Sequence, residues 1–101
     1  MDNGKLRDSY QYPAIFYPDP DGISIEFPDL PGCLPCADTI EEAFHNAKEA
    51  LGLHLYAMEK DGDEIPAPSA VHDLYTDDGG TVVLIDVFMP PVRERIGLTE
   101  R

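Results

Sequence analysis

Polar and apolar positions alternate over two stretches near the start of the chain. Tyr12, Ala14 and Phe16 alternate with Pro13, Ile15 and Tyr17 within Tyr10–Tyr17, so this predicted strand is apolar on both faces. Pro13 donates no hydrogen bond to a ladder and is expected to face an edge or a bulge. Pro18–Gly22 reads as a turn. In Ile23–Phe27 the alternation is strict: Ile23, Ile25 and Phe27 on one side, Ser24 and Glu26 on the other. This pattern predicts a half-buried antiparallel strand that forms a hairpin with the first. Pro28–Gly32 breaks it, and Pro35 limits Cys33–Ala37 to a short third strand.

The period then changes from two to three and four. Ile40, Ala43, Phe44, Ala47, Leu51, Leu55 and Met58 form a helical stripe, widened by Leu53, Tyr56 and Ala57 toward its end. Thr39 is placed as the N-cap, with Glu42 completing a capping box and Gly62 as the C-cap. Gly52, unfavourable in mid-helix, points to close packing on a neighbour. Ile65–Ser69 is an extended proline-rich connector, Ala70–Tyr75 contains a turn of helix, and Asp77–Gly80 is a tight turn. Thr81–Phe88 is the most strand-like run, apolar on both faces except at Asp86, as expected of an inner strand or one covered by a partner. Pro90-Pro91 is expected to end it and leave a tail.

The predicted order β-β-β-α-β, with one long helix on one face of a mainly antiparallel sheet, is an α+β domain. The other face has no predicted element to cover it. Yet Ile15, Val83, Ile85 and Val87, or the opposite set, must point there, which implies a protein partner or self-association. With 101 residues there is room for one core. We divide the chain into a loose segment 1–9, a folded domain 10–89, and a segment 90–101.

Charge sharpens this picture. The net charge is −13, with acids spread along the whole chain. Such a surface repels nucleic-acid phosphates and speeds association with basic partners. No apolar run is long enough to span a membrane, residues 1–8 do not resemble a signal peptide, and two cysteines make no disulfide framework. A cytoplasmic protein is the expectation, with no membrane partner.

The candidate chemistry is thin. Cys33-Leu-Pro-Cys36 has redox spacing, but the helix starts beyond Cys36 and no βαβ unit precedes it. His45 and His54, nine residues apart, do not form an i, i+4 ligand pair. Of Asp19, Asp21, Glu26, Asp29 and Asp38, only Glu26 lies within a strand, where a two-metal nuclease would need its acids. No catalytic residue, cofactor or metal site is expected.

Over Tyr10–Phe88 the chain resembles the HicB antitoxin family. The matching features are Tyr12-Pro13-Ala14, Asp21-Gly22, Phe27-Pro28-Asp29-Leu30-Pro31-Gly32-Cys33, Asp38-Thr39-x-Glu41-Glu42-Ala43 and Asp63–Ser69. The resemblance implies a partial RNase H-like fold without the nuclease's catalytic set. It implies an antitoxin that binds HicA, a small basic toxin that cleaves mRNA, and that self-associates as a homo-oligomer. Many such antitoxins add a C-terminal DNA-binding module. Operator DNA would be a partner only if such a module exists beyond this chain, and Val92–Thr99, weakly alternating, has the pattern of its opening strand. Toxin contacts are expected at Asp19, Asp21, Glu26 and Asp86. The competing expectations are a degenerate RNase H-like metal-dependent nuclease using Glu26 and Asp86, and a non-catalytic homo-oligomeric regulatory subunit joined through Thr81–Phe88.

Overall fold

The computed structural model describes residues 7–74, 76 and 79–99. Four strands, β1 (Ser9–Asp19), β2 (Gly22–Glu26), β3 (Cys36–Ala37) and β4 (Thr81–Phe88), form one antiparallel sheet in the order β3-β2-β1-β4. Helix α1 (Ile40–Asp61) lies on one face, and a second helix, α2 (Met89–Thr99), follows β4 without a break. The α+β class and the β-β-β-α-β core agree with the sequence reading.

The hairpin is the expected one, with Asp19 opposite Gly22 and Ile15 opposite Glu26. β1 continues past that last pair toward its start, where only β4 lies beside it. Pro13 sits in this half, so one flank has no ladder for its missing donor to interrupt. β3 shrinks to two residues after Pro35, whose carbonyl accepts from the Ile25 amide.

The register sorts side chains by face. Tyr10, Tyr12, Ala14, Phe16, Ile25, Phe27, Ile85 and Val87 join the core under α1. The opposite face takes Pro13, Ile15, Tyr17, Glu26, Leu84 and Asp86. Val83, Ile85 and Val87 therefore point toward the helices, and Ile15 points away with Leu84.

Four expectations are corrected. β4 is not an inner strand: it is an edge, because the connector brings it back beside β1, outside the hairpin. The face away from the helices is not bare at its centre. Ile15 is only 4% exposed there. The chain returning from the far end of α1 to the start of β4 brings Gly80 against it, so near that a Cβ on Gly80 would lie 2.7 Å from Ile15 Cγ2 and 2.8 Å from the Tyr17 ring. The helical stripe is narrower than its pattern: Ala43, Ala47, Leu51, Gly52 and Leu55 are buried, whereas Ile40, Phe44, Leu53 and Ala57 are exposed. Finally, Val92–Thr99 is helical, not the opening strand of a further module. Pro90 and Pro91 fall in the first turn, where backbone N–H groups have no helical acceptor, so they start α2 instead of blocking it.

Thr39 caps α1 as expected, and Glu42 reaches back one residue further than the expected capping box. Thr39 Oγ1 accepts from the Glu42 amide at 3.1 Å, and the Glu42 carboxylate accepts from the Asp38 amide at 3.3 Å. At the other end Gly62 adopts φ 74°, and the amides of Gly62 and Asp63 close onto Glu59 and Met58 carbonyls. Gly52 makes the predicted close contact. A Cβ there would meet Val92 at 3.3 Å and Val87 at 3.5 Å, so glycine lets α2 and β4 approach the helix backbone.

Arg93 ties α2 to two other elements. Its Nε and Nη2 donate to both oxygens of Glu59, at 3.0 and 2.9 Å, and Nη1 donates to Asp8 at 3.2 Å. Nη2 also donates to the Arg7 carbonyl, and the Met89 amide to that of Asp8. The Glu59 side chain is only 3% exposed, so the pair is desolvated on one side. The hydrogen bonds to Glu59 raise the Arg93 pKa further above its ordinary value. Of the segment 1–9, residues 1–6 lie outside the described residues. So do Tyr75, which ends the expected helical turn seen at Val71–Asp73, and Asp77 and Asp78 of the expected tight turn.

Candidate functional site: an acidic, partly apolar interaction surface

The four acids singled out in the sequence do not form one cluster. Asp19 lies at the end of β1 and spends its carboxylate locally: Oδ1 accepts from the Asp21 amide at 2.9 Å and Oδ2 from the Ser24 hydroxyl at 3.1 Å. Asp21 is exposed in the same turn. Glu26, half-buried on β2, accepts from the Tyr17 hydroxyl at 3.2 Å. Asp86 stands opposite Gln11 on β4, 3.7 Å from Lys48 Nζ. Asp19, Glu26 and Asp86 all alternate to the face away from the helices. From Asp19 to the residue opposite Asp86 is about 26 Å at ~3.3 Å per residue.

Glu26 and Asp86 flank β1 from opposite sides and are offset along it by the distance between Ile15 and Gln11. Strand spacing and rise put them roughly 16 Å apart, whereas a two-metal site brings its ions to about 4 Å. Among the described residues no group of three or more His, Cys, Asp or Glu is placed to hold a metal.

The cysteines are separated by environment. Cys33 is buried beneath α1, and burial pushes its thiol pKa up to about 11. Its Sγ donates to the Ala50 carbonyl at 3.7 Å. A thiol held protonated is a poor nucleophile. Cys36 is exposed at the start of β3.

Asp29 has a structural task that the sequence reading did not assign. Its carboxylate accepts from the amide and hydroxyl of Ser69, at 2.9 and 2.6 Å, and pins the proline connector to the loop after β2. The Tyr12 hydroxyl donates to the Pro66 carbonyl nearby.

Two regions carry exposed apolar groups: β4, which the sequence already singles out, and one that its periodicity does not show. Leu84 and Phe88 lie outward on β4. On the helix side of the sheet, Phe16, Ile23, Ile40, Phe44 and Val83 line an apolar groove of about 340 Å³ beside the first turns of α1. Ile40 and Phe44 had been assigned to the core by period alone, and no periodicity distinguishes the covered end of a stripe from the open one.

Taken together, the described residues form an α+β domain whose surface is acidic and partly apolar, the chemistry of a protein-binding module. A family model described as HicB_like antitoxin of bacterial toxin-antitoxin system matches residues 12–98, and the chain belongs to that family. It is 36% identical over 72 residues to "Antitoxin HicB 2" of Photorhabdus laumondii, covering 71% of this chain and 52% of that protein. It is 36% identical over 81 residues to an uncharacterized 14.9 kDa protein of Haemophilus phage HP1, covering 75% of this chain and 61% of that one. The chain thus spans less than two thirds of the length of these relatives. Among solved structures it resembles a chain of the "HicA3 and HicB3 toxin-antitoxin complex", with TM-score 0.66 and 26% identity over 77% of this chain and 98% of that chain. A toxin-antitoxin complex from Streptococcus pneumoniae, at 23% identity and TM-score 0.75, shares the fold over 92% of this chain and 76% of its own.

Proposed function

We propose that this protein is an antitoxin that neutralises a small basic HicA-type, mRNA-cleaving toxin by protein–protein contact, without catalysis of its own, in the cytoplasm. The family membership of residues 12–98 carries this reading. The likeness to a chain from a HicA3–HicB3 complex supports it. The net charge of −13 supports it independently, because an acidic surface steers a basic toxin toward the complex and competes with the phosphates that the toxin binds. Asp19, Asp21, Glu26 and Asp86 are proposed contact residues. Exposed charges of this kind set the association rate more than the affinity. Self-association through the free β4 edge belongs to the same proposal. No helix among the described residues is long and apolar enough to cross a membrane.

The test is co-expression with the small basic protein encoded beside this chain's gene. Expression of that neighbour alone should arrest growth, and co-expression of this chain should restore it. A harmless neighbour, or a toxic one indifferent to this chain, would remove the proposal.

A further inference from the structure

The free end of α1 and the hairpin turn of the sheet form one surface. A Cβ on Gly22 would lie 2.4 Å from the Ala37 carbonyl oxygen and 3.4 Å from Asp38 Cα, so the turn is seated directly on the start of the helix. The apolar groove opens beside this junction. Phe44 stands edge-on to Phe16, ring centroids 5.2 Å apart, and remains 46% exposed, while Ile40 is 54% exposed. These side chains are fixed on a capped helix and a central strand, so presenting them costs little ordering on binding.

The rim is acidic from two sides. Asp38, Glu41 and Glu42 come from the helix start, and Asp21 from the hairpin turn, all of them exposed. Asp38 and Glu42 are held together by the hydrogen bond from the Asp38 amide to the Glu42 carboxylate. The nearest described lysine on this helix, Lys48, is turned to Asp86. An apolar slot bordered by fixed carboxylates suits an apolar or aromatic anchor flanked by Lys or Arg.

We infer that this groove, and not the outward face of β4, is the main docking site for the basic toxin, which inserts an apolar side chain between Phe44, Ile40 and Val83 and sets basic residues against the two acidic flanks. The inference rests on the antitoxin reading and says where the contact is made. The site joins the two features that an interface needs: an apolar anchor groove at the centre, which a partner would desolvate, and a charged rim around it. Leu84 and Phe88 present apolar surface but no comparable slot, and Asp86 beside them, like Glu26, lies on the opposite face and contributes by long-range steering.

The probe is the small basic protein encoded beside the gene, titrated calorimetrically into the wild-type chain and into Phe44→Glu, Ile40→Glu and Leu84→Glu. Phe44→Glu and Ile40→Glu should each weaken binding at least about tenfold, with Leu84→Glu within about twofold of wild type. Thermal denaturation checks that each variant is folded. Amide hydrogen exchange on the wild-type complex needs no variant, and added protection should fall on residues 40–45 and on the hairpin turn. Rising NaCl should weaken the complex through the rim. Wild-type affinity in both groove variants, or protection confined to Thr81–Phe88, would overturn the docking site and leave the antitoxin function standing. Absence of binding by the wild-type chain would remove the function, and the site with it.

Discussion

The two halves of α1 have the same amphipathic design and opposite fates. In the C-terminal half, Leu51 and Leu55 are fully buried, Val92 of α2 lies against Gly52, and Arg93 grips Glu59. In the N-terminal half, Ala43 and Ala47 are buried, but Ile40 and Phe44 of the same stripe stand open. The difference is one neighbour. α2 is tied to α1 at Glu59 through Arg93, at Gly52 through Val92 and at Glu49 through Arg95 at 3.0 Å, although Leu53 and Ala57 in that span remain exposed. The covered half stabilises the domain, and the open half is free to serve a partner.

Substitution at matched positions tests that contrast most directly. Leu51→Ala should destabilise the domain by about 2–5 kcal/mol, because the side chain is fully buried in the core and its removal leaves a cavity. Phe44→Ala, at a half-exposed site, should cost about 1 kcal/mol or less, since much of the ring already faces water. Urea unfolding of the two variants measures both, and equal losses would mean that the halves are not different in kind.

An effect of similar size is expected at the latch. Arg93→Met leaves the desolvated Glu59 carboxylate without its bidentate partner and should cost about 3 kcal/mol if the site stays closed, less if α2 shifts and admits water. Tryptic cleavage within α2 should then speed up, while the N-terminal turns of α1 keep their hydrogen-exchange behaviour. Loss of protection in both halves together would show that α2 organises the whole helix.

The smallest effect concerns the two thiols. Cys36 should react with a thiol reagent in the folded protein at neutral pH, and Cys33 only after unfolding. Burial raises the Cys33 pKa from an ordinary value of 9.0 to about 11. The folded state therefore favours the protonated thiol. This contribution to stability is complete below about pH 9 and is lost as the pH rises toward 11. A Cys33→Ser variant should flatten that alkaline loss.

Much of the scaffold was legible because it depends on local rules. Alternation in Ile23–Phe27 set the strand and its faces, Thr39 and Glu42 marked the helix start, and Gly62 marked its end. Gly52 signalled a close neighbour but not which one. The last segment departs from its pattern because Pro90-Pro91 is a strong breaker inside an element and harmless in a first helical turn, where the spacing of Met89, Val92 and Ile96 favours a helix. The acids were found, but not their separation.

Taken alone, the sequence determined the strand pattern, the capped helix, the acidic surface and the family, because each is written in neighbouring residues or in overall charge. Tertiary structure decided what lies beside what. It placed β4 at an edge, turned Gly80 over Ile15, drew α2 against Gly52, and left Ile40 and Phe44 uncovered. Those outcomes depend on how far apart segments pack against one another, and periodicity specifies which face of an element is apolar without specifying which part of that face finds a neighbour.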